Sequence, residues 1–221
     1  MKYNEYKFIF PPRAEVKTRP ELISQYDTSE YLAQPKYNGS AVCVFANGID
    51  PVRVINRYGE EKTRVDRSIN FEGLHTGNGW MTLAGELLDK SKKGEDGNIL
   101  TGFVIWDILV YNNQYLVGFT LSERLELMER LWPCQRMQVT ERGLVEYKHL
   151  CYTGIQGVYK TPSYLGGSGY FSELYKELIQ TDIYEGLVIK KAAAKLDLGF
   201  GEKNNSGWQL KVRKPTRNAK F

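Results

Sequence analysis

Gln34-Pro-Lys-Tyr-Asn-Gly-Ser40 opens the first strand-like run of the chain, and its reading decides the rest. A lysine followed by a polar residue and a turn glycine presents its amine at a strand–turn edge. As a nucleophile such a lysine works only when deprotonated. An ordinary lysine, with a pKa of about 10.4, is neutral in roughly one molecule in a thousand or fewer at pH 7. A site built on this residue type must therefore lower that value by burial, a nearby cation or a metal. Alone the string carries little: Lys-x-(Asp/Asn/His)-Gly arises by chance in roughly one protein of this size in ten. An ordinary hairpin start explains it equally well.

Outward from this point, residues 40–45 and 52–56 are short strand-like runs flanking Asn47-Gly48, a good hairpin turn. Residues 81–88 and 103–111 read as buried strands, with a further turn at Asn112-Asn-Gln114. The period then becomes helical. In 121–132, Leu121, Leu125, Met128 and Trp132 recur every three to four positions, and Thr120 with Glu123 forms a capping box. In 171–179, Phe171, Leu174, Tyr175, Leu178 and Ile179 form an apolar face, with Ser172 near the N-cap. Strand-like 184–191 and 208–214 follow. Residues 11–20 hold three prolines and should form an extended arm before a short helix at 20–25. No repeat or linker is visible. The expectation is one domain, 1–221, of the α+β class with antiparallel sheets.

Composition supports a globular domain and excludes several chemistries. The 221 residues are 42% hydrophobic and 25% charged. The net charge of +4 hides an asymmetry: residues 190–221 hold nine basic groups against Asp197 and Glu202, while the preceding 189 carry 21 basic and 24 acidic groups. Two histidines, His75 and His149, and three cysteines without a C-x-x-C pair cannot build a zinc site with the usual ligand spacing. Cys43, Cys134 and Cys151, odd in number and set in apolar stretches, read as free thiols of a reducing cytoplasm. The longest apolar run, 103–111, is broken by Asp107 and too short for a bilayer. The N-terminal stretch lacks the apolar core of a signal peptide. A soluble, cytoplasmic, monomeric protein without membrane partners is expected.

Five further segments follow Lys36 in order. They are Asn56-Arg-Tyr-Gly59, Ala84-Gly-Glu-Leu87, Phe103-Val-Ile-Trp-Asp107, Tyr184-Glu-Gly-Leu-Val-Ile-Lys190 and Trp208-Gln-Leu-Lys-Val-Arg213. The series resembles the covalent nucleotidyltransferase superfamily of ATP-dependent DNA ligases, RNA ligases and mRNA capping enzymes. The six segments are similar to its motifs I, Ia, III, IIIa, IV and V. The resemblance implies an antiparallel-sheet nucleotidyltransferase fold, ATP-grasp-like, with ATP and Mg²⁺ or Mn²⁺ as cofactors and nucleic acid as partner.

The resemblance also implies roles. Lys36 would attack the α-phosphate of ATP to form lysyl-AMP. Arg57 and Glu86 would hold the ribose and nearby phosphate, through a guanidinium's fixed donors and a carboxylate's acceptors. Trp106 would stack on adenine, with Phe103 a weaker alternative, although both also read as core aromatics. Glu185 would bind the divalent metal, an oxygen ligand for a hard ion. Lys190, Lys211 and Arg213 would surround the α-phosphate and stabilise developing charge; a solvated basic strand face is the plainer reading. Gln34 stands where the family touches the adenine edge.

The segment Trp106-Asp-Ile-Leu-Val followed by Leu121-Ser-Glu-Arg is similar to the DNA ligase layout, as is Arg57-x-Gly59 followed by Thr63. Two departures are Asn38, where DNA ligases usually have Asp, and Ala41, where they usually have Arg; Gly39-Ser40 is more like some RNA ligases. Only eight residues follow Arg213, so the usual oligonucleotide-binding-fold domain and its motif VI are expected to be missing. The basic segment from Lys191 and Lys195 to Lys220 would then grip nucleic-acid phosphates. The expected function is an ATP-dependent polynucleotide ligase with a lean to DNA nick sealing. RNA ligation is the alternative, and a capping-type guanylyltransferase or a non-catalytic nucleic-acid-binding relic is less favoured. Of the remaining signals, Asn38-Gly-Ser40 as a glycosylation sequon does not fit an active site, and 89–100 lacks the closing Glu of a calcium loop and reads as a mobile basic loop. Gly166-Gly-Ser-Gly169 reads as a flexible loop rather than a phosphate cradle. Neither histidine has a partner pattern.

Overall fold

The computed structural model describes residues 1–88, 92–141, 143–199 and 205–215. In chain order these form β1 (Arg13–Lys17), a 3-10 segment (Pro20–Tyr26), β2 (Tyr31–Tyr37), β3 (Ser40–Ala46), β4 (Arg53–Asn56), β5 (Met81–Leu88) and β6 (Gly102–Tyr111). Then come β7 (Gln114–Tyr115), α1 (Leu121–Leu131), β8 (Met137–Thr140), β9 (Gly143–Glu146), β10 (Cys151–Tyr152), β11 (Val158–Lys160) and β12 (Tyr164–Leu165). The last elements are α2 (Phe171–Leu178), β13 (Tyr184–Lys191) and β14 (Asn205–Arg213). Both turns expected from sequence are present: Gly48 has φ +71°, and Asn112 and Asn113 take positive φ, which asparagine tolerates.

The strands sort into two large sheets. One has the order β1-β14-β13-β2-β12, the other β10-β11-β6-β5-β3-β4 with β7 beside β6; β8 and β9 form a separate hairpin. Each sheet has its own core. Ile105, Leu109 and Met128 belong to the core of the larger sheet and α1, while Ala33, Leu174, Leu178 and Ile189 belong to that of the smaller sheet and α2. The α+β class is as expected, and most pairings are antiparallel. Two are not: β1 runs parallel to β14, and β11 parallel to β6. The proline-rich arm is therefore partly a strand, pairing with a segment about 190 residues away that no local pattern announces.

Helix α1 begins at its capping box: Thr120 Oγ1 accepts from the Glu123 N–H at 3.3 Å, and Glu123 accepts from the Thr120 N–H at 2.7 Å. Its buried face holds Leu121 and Met128 but also Arg124, a charge the apolar stripe did not anticipate. Ser172 does not cap α2. The carboxylate of Asp27 does, accepting from the Phe171 N–H at 2.8 Å and the Gly167 N–H at 2.7 Å. The Gly166–Gly169 loop is thus fastened to Asp27.

The cysteines depart from expectation. Cys134 and Cys151 form a disulfide, and only Cys43 is a free, buried thiol. Reciprocal backbone hydrogen bonds between Gln135 and Tyr152, at 3.0 and 2.9 Å, bring the two cysteines to a Cα separation of 5.0 Å, within bonding reach. This contact joins the end of α1 to β10 and leaves no trace in sequence spacing.

Candidate active site

Strand periodicity gathers the site. Side chains two residues apart share a sheet face, so Gln34 and Lys36 on β2 face the same way. Val188 pairs with Gln34 and with Lys211, and Lys190 pairs with Gln209 across β13 and β14. On the larger sheet, Ala41 of β3 is opposite Glu86 of β5. A cleft is lined from both sheets by these residues, with Trp106, Arg213 and Pro12 to Ala14. Seven of the nine site residues expected from sequence line it: Gln34, Lys36, Glu86, Trp106, Lys190, Lys211 and Arg213.

Glu185 joins them through a β-bulge. Lys36 pairs with Gly186, and the register slips between Tyr184 and Gly186. Gly186 has φ +139°, and a Cβ there would lie 2.0 Å from the Val212 carbonyl oxygen, so only glycine fits. The bulge turns Glu185 toward Lys36. Its Oε2 is buried, 2.7 Å from Lys36 Nζ and 3.3 Å from Arg213 Nε, in ion pairs that lack hydrogen-bond geometry. Behind it the Tyr184 hydroxyl donates to Glu95, whose carboxylate also accepts from the N–H of Lys148 at 2.5 Å and of His149 at 2.8 Å. Residues 92–100 of the expected mobile loop are therefore anchored here; Asp89 and Ser91 lie outside the described residues.

Gly39 explains the glycine after Asn38. A Cβ at this position would sit 2.4 Å from the Leu87 carbonyl oxygen and 2.9 Å from Glu86 Cγ. The close approach lets the Gly39 N–H donate to Glu86. Glu86 is only 7% exposed. Burial raises its pKa to about 7, Lys36, the Gly39 N–H and Arg213 oppose the rise, and Glu185 adds to it. For an acid whose folded pKa lies above its unfolded value, the folded state binds more protons in between. Stability therefore falls as pH rises from about 4.5 through 7, by on the order of 3 kcal/mol. Glu86→Gln should accordingly melt several degrees above the wild type at pH 8.5 and close to it at pH 5. A wild-type-like or lower melting temperature at pH 8.5 would contradict this assignment.

The cations differ in their surroundings. Lys190 is buried, and burial lowers its pKa to about 8, with Arg124 adding to the fall and Asp107 opposing it. Lys211 is half-buried; burial, then the charges of Arg213, Lys17 and Lys36, lower its pKa. Arg213 is exposed at the rim. The plain basic strand face thus describes Arg213 but not Lys190.

Other expected residues sit differently. Arg57 does not line the main cleft. It is exposed, with its guanidinium 4.9 Å from the Tyr58 ring centroid, and lines an adjoining cavity with Trp106 and Ala41. The Gln34 amide donates to Ser163 Oγ at 2.9 Å. Phe103 is fully buried against Phe71 and is excluded as a stacking surface. Asn38 turns away, donating to the Asp182 carbonyl at 3.4 Å. His149 is buried and bonded to Tyr164 and Glu177, and His75 contacts the Gly79 carbonyl. Of the basic tail, Lys191, Lys195 and Lys214 are described, and Lys203, Arg217 and Lys220 lie outside the described residues.

The sequence reading missed Arg13, Gln209 and Ser163, which reach the site by long-range pairing, and the Asp107–Arg124 pair. Asp107 interrupting an apolar run was one signal of it. Among the described residues, no group of three or more His, Cys, Asp or Glu is placed to hold a metal ion, and no helix is long and apolar enough to cross a membrane.

No family model and no curated protein matches the chain. Solved structures do match in shape. Mycobacterial DNA ligase D complexed with ATP superposes at TM-score 0.58 with 14% identity, over 96% of this chain and 62% of the other. The ATP-dependent DNA ligase of bacteriophage T7, also with ATP, gives 0.54 and 13% over 95% and 69%. A Lig E DNA ligase, described as binding DNA with a minimal scaffold, gives 0.52 and 14% over 93% and 70%. The chain thus spans about six-tenths of the length of the ligase D structure. The two sheets and the cleft between them thus share the fold of these DNA ligase structures.

Proposed function

We propose that the chain is an ATP-dependent polynucleotide ligase that seals nicks in DNA through a lysyl-AMP intermediate. The observation that carries this is the meeting of Lys36 with two carboxylates and three further cations in one cleft, from motifs scattered over 180 residues. Lys36 Nζ, after losing a proton, attacks the α-phosphorus of ATP. The phosphorus–nitrogen bond forms as the bond to the oxygen bridging the α- and β-phosphorus breaks, and pyrophosphate leaves with that electron pair. A 5′-phosphate oxygen of the nucleic acid then takes the adenylyl group, returning the electron pair to Lys36. Finally a 3′-hydroxyl attacks the activated 5′-phosphorus and AMP departs.

Each neighbouring group has a part. Glu86 accepts from a ribose hydroxyl, a role its ionised form serves best, and Trp106 offers a face to the base. Gln34, tied to Ser163, borders the base edge. Lys190, Lys211 and Arg213 stabilise charge on the α-phosphate, and Arg57 binds phosphate or ribose from the adjoining cavity. Glu185 fits a hard divalent cation such as Mg²⁺: its Oε2 is buried and has charged but no well-directed partners. With two carboxylates near, phosphate oxygens and water would complete the shell. The ion would neutralise phosphate charge.

The test uses purified protein, Mg²⁺ and ATP labelled in the α-phosphate. A covalent label should form and pass to the 5′-phosphate of a DNA nick, which should close at least about tenfold faster than an equivalent RNA nick. Faster closure of RNA would establish the RNA-joining reading instead. Label taken from GTP but not ATP would overturn the adenylylation mechanism.

A further inference from the structure

The strand ladder lines up a row of cations that runs out of the cleft to the edge of the smaller sheet. Across it, Gln34 of β2 pairs with Val188 of β13, Val188 with Lys211 of β14, and Lys211 with Lys17 of β1. Directly paired residues share a sheet face. Lys17 therefore stands beside Lys211 on the face that carries Gln34 and Lys36. One strand spacing, roughly 4.8 Å, separates the backbones of the two lysines. Lys17 is exposed, and its strand lies at the edge of the sheet.

Like charges directly opposite each other on adjacent strands destabilise a sheet. Lys17 and Lys211 are such a pair, with Arg213 two residues further along β14. Among the described residues, no carboxylate forms an ion pair with the amine of either lysine. After burial, the charges of Arg213, Lys17 and Lys36 lower the Lys211 pKa, and the opposing charge of Glu15 acts least. An anion held between the two amines removes this repulsion. The facing sheet presents the Glu86 carboxylate instead. The row of lysines is thus the wall along which negative charge is favoured.

We propose that Lys17 binds the β- and γ-phosphates of ATP, the pyrophosphate that leaves when Lys36 takes the adenylyl group. This rests on the reading of the cleft as an ATP site. With the α-phosphate at Lys36 and Lys211, the two further phosphates extend one strand outward to β1. An ammonium there is a point charge with three donors for phosphate oxygens. It offsets the charge that builds on the leaving group as pyrophosphate departs with the bonding electron pair. The role ends with that departure, so the later steps, which carry only AMP, do not use Lys17. None of the six motifs contains this residue; it arrives through the parallel pairing of β1 with β14.

The test compares α,β-methylene-ATP, which cannot be cleaved at the reacting bond, with AMP, by calorimetry in Mg²⁺. Lys17→Met keeps the aliphatic stem and should melt at or slightly above the wild type, since it removes a like-charge neighbour of Lys211. It should weaken binding of the triphosphate about tenfold and leave that of AMP within about twofold. Lys17→Arg should hold the triphosphate within about threefold of the wild type. In the reverse reaction, discharge of the lysyl-AMP protein should need about tenfold more pyrophosphate for half-maximal rate in Lys17→Met. Sealing of a DNA nick already carrying AMP on its 5′-phosphate should be unchanged, because that step holds no β- or γ-phosphate. Unaltered triphosphate affinity in Lys17→Met overturns the proposal, and so does an equal loss of affinity for AMP. Slower sealing of the adenylylated nick with intact triphosphate affinity would instead place Lys17 on the nucleic acid. Wild-type protein that binds the triphosphate but forms no adduct from ATP would defeat the ligase reading alone, since the two binding measurements need no turnover.

Discussion

Lys36→Ala should form no covalent adduct with labelled ATP, a loss of about 10⁴-fold or more, down to background. No nearby amine replaces it: Lys190 is buried on β13 and Lys211 stands on β14, so neither shares its position. The variant should still fold. Lys36 and Glu185 are 18% and 27% exposed, and an ion pair of that exposure contributes about 1 kcal/mol or less. Glu185 also keeps Arg213 at 3.3 Å. Lys36→Arg separates charge from nucleophilicity, since it preserves a cation beside Glu185 but not an amine able to attack. Both variants should seal a nick that already carries the adenylyl group, because that step does not use the Lys36 nitrogen. Undiminished label in Lys36→Ala would place the chemistry elsewhere.

Arg124→Ala should be the most destabilising single change. Arg124 is fully buried and grips Asp107 with two bonds, Nε to Oδ1 at 2.8 Å and Nη2 to Oδ2 at 2.9 Å. Its Nη1 donates to the Phe119 carbonyl at 2.7 Å. Removing it leaves the Asp107 carboxylate buried with the Ile108 N–H at 2.9 Å as its remaining directed bond. Breaking such a pair costs about 3–5 kcal/mol, or roughly 6–20 °C in melting temperature for a domain of this size. Asp107→Leu together with Arg124→Met should recover most of that loss, since replacing both charges avoids the orphan. Urea unfolding of the single and double variants measures the difference. A loss below about 1 kcal/mol in Arg124→Ala would mean that water reaches the pair. The pair also bears on the cleft: Asp107 and Arg124 act in opposite directions on Lys190, so Arg124→Ala should leave Lys190 more strongly protonated.

Much of the site was legible because strand geometry is local. Period-two alternation puts residues 34 and 36, or 209, 211 and 213, on one face whatever the rest of the chain does, and Gly39 and Gly186 stand where the backbone passes too close for a Cβ. The capping box of α1 and the Asn-Gly and Asn-Asn turns are equally local. By itself, the sequence determined the class of fold and the order of the segments that line the cleft. Tertiary structure alone decided which distant strands meet. That meeting brought Arg13 into the cleft, joined Cys134 to Cys151 against expectation, left Arg57 in an adjoining cavity, and set Arg124 as the buried partner of Asp107. The physical reason is one of range: side-chain periodicity and turn chemistry act over a few residues. Sheet pairing and burial depend on the whole chain closing over segments as far apart as β1 and β14.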